Sequence, residues 1–503
     1  MSSLEQQFAA YRKQILGIDQ TFDGPYGTKK IVYADWTASG RLYAPIEQKL
    51  VHEIAPFVAN THTETNITGS SMTMAYHEAK HIIKKHVHAA HEDILISSNS
   101  GMTGVLIKFQ RILGLKVHEK FADYVKIPKE QRPVVFVTHM EHHSNQTSWL
   151  ETIAEVVIIG ASSDGLVDLE NFGKLLSDYK DRPLKIAAIT SCSNVTGIST
   201  PYHHMAEMIH EVGGFCFVDF ACSAPYVKID MHPADHPEGY LDAIYFSPHK
   251  FLGGPGSSGI LIFNSKLYNN SVPDHPGGGT VQWTNPWGEH RYFEEIEARE
   301  DGGTPAFLQT IRVALAIKLK EEMGIENILK REHEILNLVF PRLKKIPGLH
   351  ILADQHEHRL GVISFYIDGL HYNLAVKLLN DRYGIQVRGG CSCAGTYGHY
   401  LLEVSYEKSK SITDNITHGI LMDKPGWVRM SFHPTTTNEE IEIILDALEE
   451  LAANHFQWAS DYKYCTKTNE FQHIDEDPQH LREQIVHWFD LDPSLTPEAF
   501  ISL

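Results

Sequence analysis

Basic residues are in deficit. The chain carries 44 Lys and Arg against 63 Asp and Glu, a formal charge of −19 with histidine neutral. An acidic surface repels phosphate backbones, so no nucleic-acid partner is expected. Charge of this sign chiefly keeps a protein soluble. Cysteine is also sparse: six residues in 503, at 192, 216, 222, 391, 393 and 465. That irregular spacing is unlike a disulfide framework and predicts a reducing, cytoplasmic home. No stretch approaches the ~20 apolar residues of a membrane-spanning helix, so no membrane association is expected. The opening MSSLEQQFAAYRKQILGID has no uninterrupted apolar run and predicts no secretory leader. Repeats and low-complexity tracts are missing too.

The sequence does hold ordinary globular material, 42% apolar and 10% aromatic, in a chain too long for one core. From about 31 to 265, short apolar runs alternate with longer mixed stretches. The runs are Ile94 to Ser97, Val134 to Thr138, Val156 to Gly160, Ile186 to Thr190, Phe215 to Asp219, Ala243 to Ser247 and Gly259 to Phe263. This alternation predicts an α/β fold with a mostly parallel sheet covered on both faces. Ligands on such sheets bind at the carboxyl ends of the strands. Residues 266–304, rich in Gly and Pro, read as loop, and a smaller α+β pattern follows. It includes a strand from Gly361 to Ile367 and an amphipathic helix from Asn438 to Leu451.

Two residues at strand ends carry the first chemical signal. Lys250 stands in Ser247-Pro248-His249-Lys250-Phe251-Leu252-Gly253-Gly254, where a strand gives way to small residues. A desolvated lysine there can form an imine with an aldehyde. Ser247 and His249 can donate to a phosphate, and the glycines let backbone pass close to a bulky cofactor. Asp219 ends the run Phe215-Cys216-Phe217-Val218, 31 residues before Lys250. A carboxylate against a pyridinium nitrogen is what pyridoxal-5'-phosphate (PLP) requires of a protein. Taken singly, the lysine also reads as a surface residue and the aspartate as a helix cap.

Val218-Asp219-Phe220-Ala221 followed by Ser247-Pro248-His249-Lys250 resembles the class V aminotransferase family of PLP enzymes, especially group II cysteine desulfurases and selenocysteine lyases. Tyr33-Ala34-Asp35-Trp36-Thr37-Ala38-Ser39, Met140-Glu141-His142-His143-Ser144-Asn145 and Ser193-Asn194-Val195-Thr196-Gly197 resemble further segments of that family. The resemblance runs from about Tyr33 to Leu448. It implies PLP-transferase fold type I, with a large PLP-binding domain over 31–305. A small domain from 1–30 and 306–455 and a C-terminal extension over 456–503 complete the expectation.

By the resemblance, Lys250 holds PLP as a Schiff base, Asp219 holds its ring nitrogen, His142 stacks on the ring, and Asn194 bonds its phenolic oxygen. Ser247, His249 and the helix start at Ser100, Gly101 and Met102 serve the phosphate. The family tends to have two threonines where Gly101 and Met102 stand, so Ser100 or Thr103 is expected to supply side-chain contacts. Cys222 stands where the family usually has glutamine or histidine. Gly302-Gly303-Thr304-Pro305 resembles a turn that reaches the phosphate of a neighbouring subunit, which implies a homodimer with Thr304 at its partner's site. His139, His142 and His143 lack a carboxylate-supported spacing such as HExxH, so no metal is expected.

Val387-Arg388-Gly389-Gly390-Cys391-Ser392-Cys393-Ala394-Gly395 resembles the group II catalytic loop, with Cys393 at the nucleophile's place and Cys391 a second candidate. A thiolate can take sulfur and become a persulfide, and the two glycines before it allow a mobile loop. Arg388 and Arg429 match the family's substrate arginines. A guanidinium fork suits the carboxylate of an amino acid. Arg429 follows Cys393 by 36 residues. The intervening insert and the closing Lys424-Pro425-Gly426-Trp427-Val428-Arg429 are similar to molybdenum cofactor sulfurases. The resemblance thus implies an enzyme that removes sulfur or selenium from cysteine or selenocysteine and passes it to an acceptor protein. A class V aminotransferase or β-lyase without a persulfide step, and a non-catalytic PLP- or metal-binding regulator, remain open beside it.

Overall fold

The computed structural model describes residues 2–491. Part of the expected C-terminal extension, 492–503, lies outside the described residues. Seven strands form the central sheet: β1 Asp93–Ser98, β2 Val134–Thr138, β3 Glu155–Ile159, β4 Lys185–Thr190, β5 Phe215–Asp219, β6 Ala243–Phe246 and β7 Gly259–Asn264. Their spatial order is β1-β7-β6-β5-β4-β2-β3. β7 runs antiparallel to both its neighbours, while β2 to β6 pair in parallel.

The continuous apolar runs have the reason anticipated for them. β2, β4 and β6 are buried at every position, as a sheet covered on both faces requires. Alternate residues feed two cores. Phe136, Ala187, Ile189 and Val218 pack in one cluster, whereas Val135, Val137, Ile186 and Ala188 pack in another on the opposite face. Side chains that alternate across a strand cannot do otherwise.

A second sheet, built later in the chain, has the order β8 Leu349–Ile351, β9 Val362–Ile367, β12 Trp427–Ser431 and β11 Arg388–Gly390. Between β9 and β11 comes β10 Ile385–Gln386, which pairs in parallel with a short strand at Val32–Tyr33. An isolated bridge joins Asp35 to Ser431. The N-terminal segment is thereby stitched into the second sheet. Helix Asn438–Trp458 packs on this core, opened by a reciprocal capping box between Thr437 and Glu440; each such cap typically contributes ~1 kcal/mol.

One stretch differs from the sequence expectation, and two others hold elements the sequence reading did not assign. Residues 266–304 contain a hairpin, Val281–Thr284 with His290–Tyr292, and a short helix Ile296–Glu300. Their Gly and Pro residues form the turns around these elements. The tail contributes a hairpin, Tyr462–Cys465 with Glu470–His473, whose Tyr462 is buried in the second core. The insert after Cys393 forms two helices, Gly395–Leu401 and Tyr406–Thr417. Among the described residues, no helix is long and apolar enough to cross a membrane.

Candidate active site

A cavity of about 610 Å³ opens at the carboxyl ends of the central strands, roofed by the second sheet. The strand ends supply Ser100, Gly101, Met102 and Thr103 after β1, Thr190, Cys192 and Asn194 on and after β4, Asp219 and Cys222 on and after β5, and Ser247, His249 and Lys250 after β6. His142 enters from the turn after β2, and Arg388, Ser392, Cys393 and Arg429 come from the second sheet and its loop. Of the residues singled out in the sequence, the structure brings together Lys250, Asp219, Asn194, His142, Ser247, His249, Ser100, Gly101, Met102, Arg388, Arg429 and Cys393. Thr304 is exposed and does not line this cavity in its own chain, and neither does Cys391, which packs partly buried against the core.

Burial sets the electrostatics. It pulls the Lys250 amine below the usual lysine range and pushes the Asp219 carboxyl up to about 6. One Asp219 oxygen accepts the Ala221 N–H at 2.8 Å. Burial, assisted by Lys250, brings His142 down to about 3, so its ring is neutral at physiological pH and presents a flat uncharged face. His142 Nδ1 accepts the Ser144 N–H at 3.1 Å and fixes the ring at the head of helix His143–Leu150.

Behind His142, buried Glu141 accepts from the Thr138 hydroxyl at 2.6 Å, the Thr190 N–H at 2.9 Å and Asn145 at 2.7 Å. Desolvation nevertheless pushes its pKa up to about 8. This carboxyl knits the ends of β2 and β4 and steadies the turn that carries His142.

Four buried polar atoms without a hydrogen-bond partner belong to residues that line the cavity: Thr37 Oγ1, Asn194 Oδ1, Ser257 Oγ and Arg429 Nε. Leaving such an atom unpaired costs about 1–3 kcal/mol, so their gathering fits a polar ligand that completes them. Helix Gly101–Ile112 opens on the same cavity with no side-chain cap from Ser100. Ser247 Oγ accepts the Met102 N–H at 2.8 Å and anchors that first turn. Gly101 has φ +61°, and a Cβ on Gly259 would stand 2.0 Å from the Gly101 carbonyl oxygen, so the approach of β7 to this turn requires glycine. A helix start of this kind favours an anion. Among the described residues, no hydrogen bond or ion pair engages Lys250 Nζ. An amine free to react, an acid at a strand end, a neutral ring and an anion-binding helix start together fit PLP.

The loop bearing Cys393 is held by hydrogen bonds from both sides. His143 donates its backbone N–H to the Cys393 carbonyl at 2.7 Å. The Gly395 N–H donates to His143 Nε2 at 3.0 Å. Asn194 donates to the Ser392 carbonyl at 2.7 Å, and Trp427 Nε1 donates to the Ser392 hydroxyl at 3.0 Å. Ser392 and Cys393 both adopt left-handed backbone, φ +51° and +54°. That conformation costs about 1–3 kcal/mol per residue and persists only where surrounding contacts hold it. The glycines before Cys391 permit the turn, but these contacts pin it.

Several participants were not anticipated from the sequence. Ser257, Thr37, Ser392 and His143 carry no spacing signal, because their roles arise from chain segments that meet only in the fold. Asp35 could have been suspected, as an acid just past a strand in a chain whose two site arginines had no assigned partner. Its Oδ1 accepts Arg429 Nη2 at 3.0 Å, and its Oδ2 accepts Arg388 Nε at 3.1 Å and Nη2 at 2.9 Å. The position of Cys222 gains a neighbour as well. Cys192 and Cys222 both line the cavity, each with its sulfur 3.6 Å from the Ser193 carbonyl oxygen. A hydrogen bond from Cys192 holds the Cys222 thiol below the usual range.

Comparisons with known proteins bear on the family and the fold. Residues 32–444 match the Aminotransferase class-V family. A probable cysteine desulfurase of Halalkalibacterium halodurans is 26% identical over 437 residues, covering 86% of this chain and 95% of the relative. A probable cysteine desulfurase of Staphylococcus aureus is also 26% identical, over 438 residues, with 86% and 94% covered. The apo structure of a cysteine desulfurase from Thermococcus onnurineus superposes with a TM-score of 0.70 at 22% identity, covering 88% of this chain and 98% of that one. A cysteine desulfurase from Escherichia coli gives 0.66 at 20% identity, with the same coverage. At these identities the superpositions speak for the fold, that of the PLP enzymes of fold type I.

Proposed function

Because the chain belongs to the Aminotransferase class-V family, whose enzymes work with PLP, we propose that it is a cysteine desulfurase or selenocysteine lyase. The single observation that carries this reading is that Cys393 lines the same cavity as Lys250, Asp219 and Arg429. A soft nucleophile is thereby set beside an amine, a ring-nitrogen partner and a carboxylate anchor.

PLP, when bound, supplies an electron sink for charge developing on the substrate's carbons. The residues of this chain do the rest. Asp219 keeps a proton on the ring nitrogen, and His142 covers the ring without adding charge. Ser257 offers its unpaired hydroxyl as a donor to the phosphate, and Asn194 its unpaired amide oxygen as an acceptor for the phenolic hydroxyl. Arg429 and Arg388 hold the substrate carboxylate. Lys250, with its basicity lowered by burial, moves protons at physiological pH. Cys393 attacks the substrate's sulfur as a thiolate. A sulfur–sulfur bond forms and the carbon–sulfur bond breaks, with its electron pair left on carbon. Protonation there yields alanine, and the enzyme keeps a persulfide. Cys393 is exposed, as handing the sulfur to an acceptor protein requires. A thiol nucleophile also suits a reducing cytoplasm.

The reading includes a two-fold dimer, supported by the exposure of Thr304 away from its own chain's cavity. Sedimentation and assay at one concentration test it, and a fully active monomer would overturn it. The experiment for the reaction is a panel of amino acids in which alanine, sulfide and keto acid are followed together. With an added thiol that reduces the persulfide and releases its outer sulfur, equal amounts of alanine and sulfide from cysteine are expected. Keto acid without sulfide would make the enzyme an aminotransferase.

A further inference from the structure

The two site arginines share one carboxylate, and they are not held alike. Arg429 is fixed: its side chain is 4% exposed, with Nη2 on Asp35 and Nη1 donating to the Asn194 carbonyl at 3.2 Å. Its Nε is buried without a partner. Arg388 is 54% exposed along its side chain, and its hydrogen bonds go to Asp35 alone among the described residues. Both bonds, from Nε and Nη2, fall on one oxygen of Asp35. That edge of a guanidinium is the one that receives a carboxylate in two places. Asp35 itself is 12% exposed, placed by its backbone bridge to Ser431 on β12, two residues beyond Arg429.

Two guanidiniums and one carboxylate leave a single positive charge. One donor, Arg429 Nε, stands open in the fixed arginine, while the Nε–Nη2 edge of Arg388 is engaged by Asp35. We propose that Asp35 sets the charge class of the substrate: it presents Arg388 and Arg429 as a unit that accepts amino acids with one carboxylate and turns away those with a second. The proposal rests on the reading that the substrate is an amino acid. Physically, a second carboxylate meets the negative charge of Asp35 and a guanidinium edge that Asp35 already engages. Without that charge, the Arg388 edge is released and the pair carries two uncompensated positive charges.

The test is a titration of the PLP-loaded enzyme with L-alanine and with L-aspartate, read as the change in cofactor absorbance, which reports binding without turnover. Wild type should bind alanine more tightly than aspartate by about ten-fold or more, as one nearby like charge at effective protein dielectric implies. In Asp35→Asn the preference should shrink by about ten-fold, chiefly through tighter aspartate binding. Asp35→Glu keeps the charge and should keep the preference. A residue with a purely structural role would weaken both ligands together and leave their ratio unmoved. Asp35→Ser removes the charge with a side chain that fits the same gap, and it serves if the asparagine variant fails to fold.

An unchanged ratio in a folded, alanine-binding charge-removed variant overturns the proposal and leaves the amino-acid reading intact. Absorbance that responds to neither ligand in wild type overturns that reading, and the proposal falls with it.

Discussion

The backbone N–H of His143 donates to the carbonyl of Cys393 at 2.7 Å, and the ring of the same histidine accepts the N–H of Gly395 at 3.0 Å. The residue beside His142, which lines the cavity, therefore also sets the position of the candidate nucleophile. Thr396 adds a bond to Gln146 at 2.8 Å on the same helix. The loop and the turn that carries His142 form one unit.

Replacing His143 by phenylalanine removes the ring acceptor and keeps the backbone bond. A lost hydrogen bond of about 1 kcal/mol corresponds to roughly five-fold in rate. We expect sulfide production to slow by about that factor, with PLP absorbance unchanged, because the cofactor contacts lie elsewhere. Titration of the absorbance and assay of sulfide on one preparation check this. Loss of PLP binding would show that His143 supports the whole site and not the loop alone.

Lys250→Ala should abolish turnover and leave any retained PLP as free aldehyde. Borohydride treatment of wild type should place the reduced adduct on the peptide that contains Lys250. Mapping of that adduct to another lysine would refute the assignment.

His433 is buried and stacked on Trp36 at a ring separation of 4.2 Å, beside Asp35. Burial brings its pKa from 6.5 down to about 3. The unfolded chain takes up this proton below about pH 6.5 and the folded one does not until about pH 3. Its contribution to stability is therefore lost as pH falls through that window, at up to ~1.4 kcal/mol per pH unit. His433→Asn should flatten the fall in denaturant-derived stability between about pH 6 and pH 4 by about one proton. An unaltered slope would mean the folded protein protonates this ring readily.

Much of the fold was legible because a parallel sheet buried on both faces leaves unbroken apolar runs. Ile186 to Thr190 and Phe215 to Asp219 could be placed almost to the residue. The placement of Lys250 and Asp219 at the cavity was legible because polar residues that end or follow such a run fall at the sheet's binding edge. Asp35 and Ser257 were not, since their meaning depends on partners far away in sequence: Asp35 meets arginines 353 and 394 residues away. The docking of the Cys393 loop was not legible for a related reason. Gly389 and Gly390 report what the backbone can do, while Asn194, His143 and Trp427 decide what it does.

The central claim is that Cys393 takes sulfur from the substrate. The most direct measurement is the mass of the Cys393 peptide after a single turnover with cysteine, with free thiols and persulfides trapped by alkylation. The account predicts a gain of one sulfur atom on Cys393, none on Cys391, and no gain anywhere in Cys393→Ser, whose PLP spectrum stays intact because a hydroxyl cannot replace the thiolate as a sulfur acceptor. Alanine and sulfide formed at the wild-type rate by Cys393→Ser, with no sulfur on this loop, would contradict it.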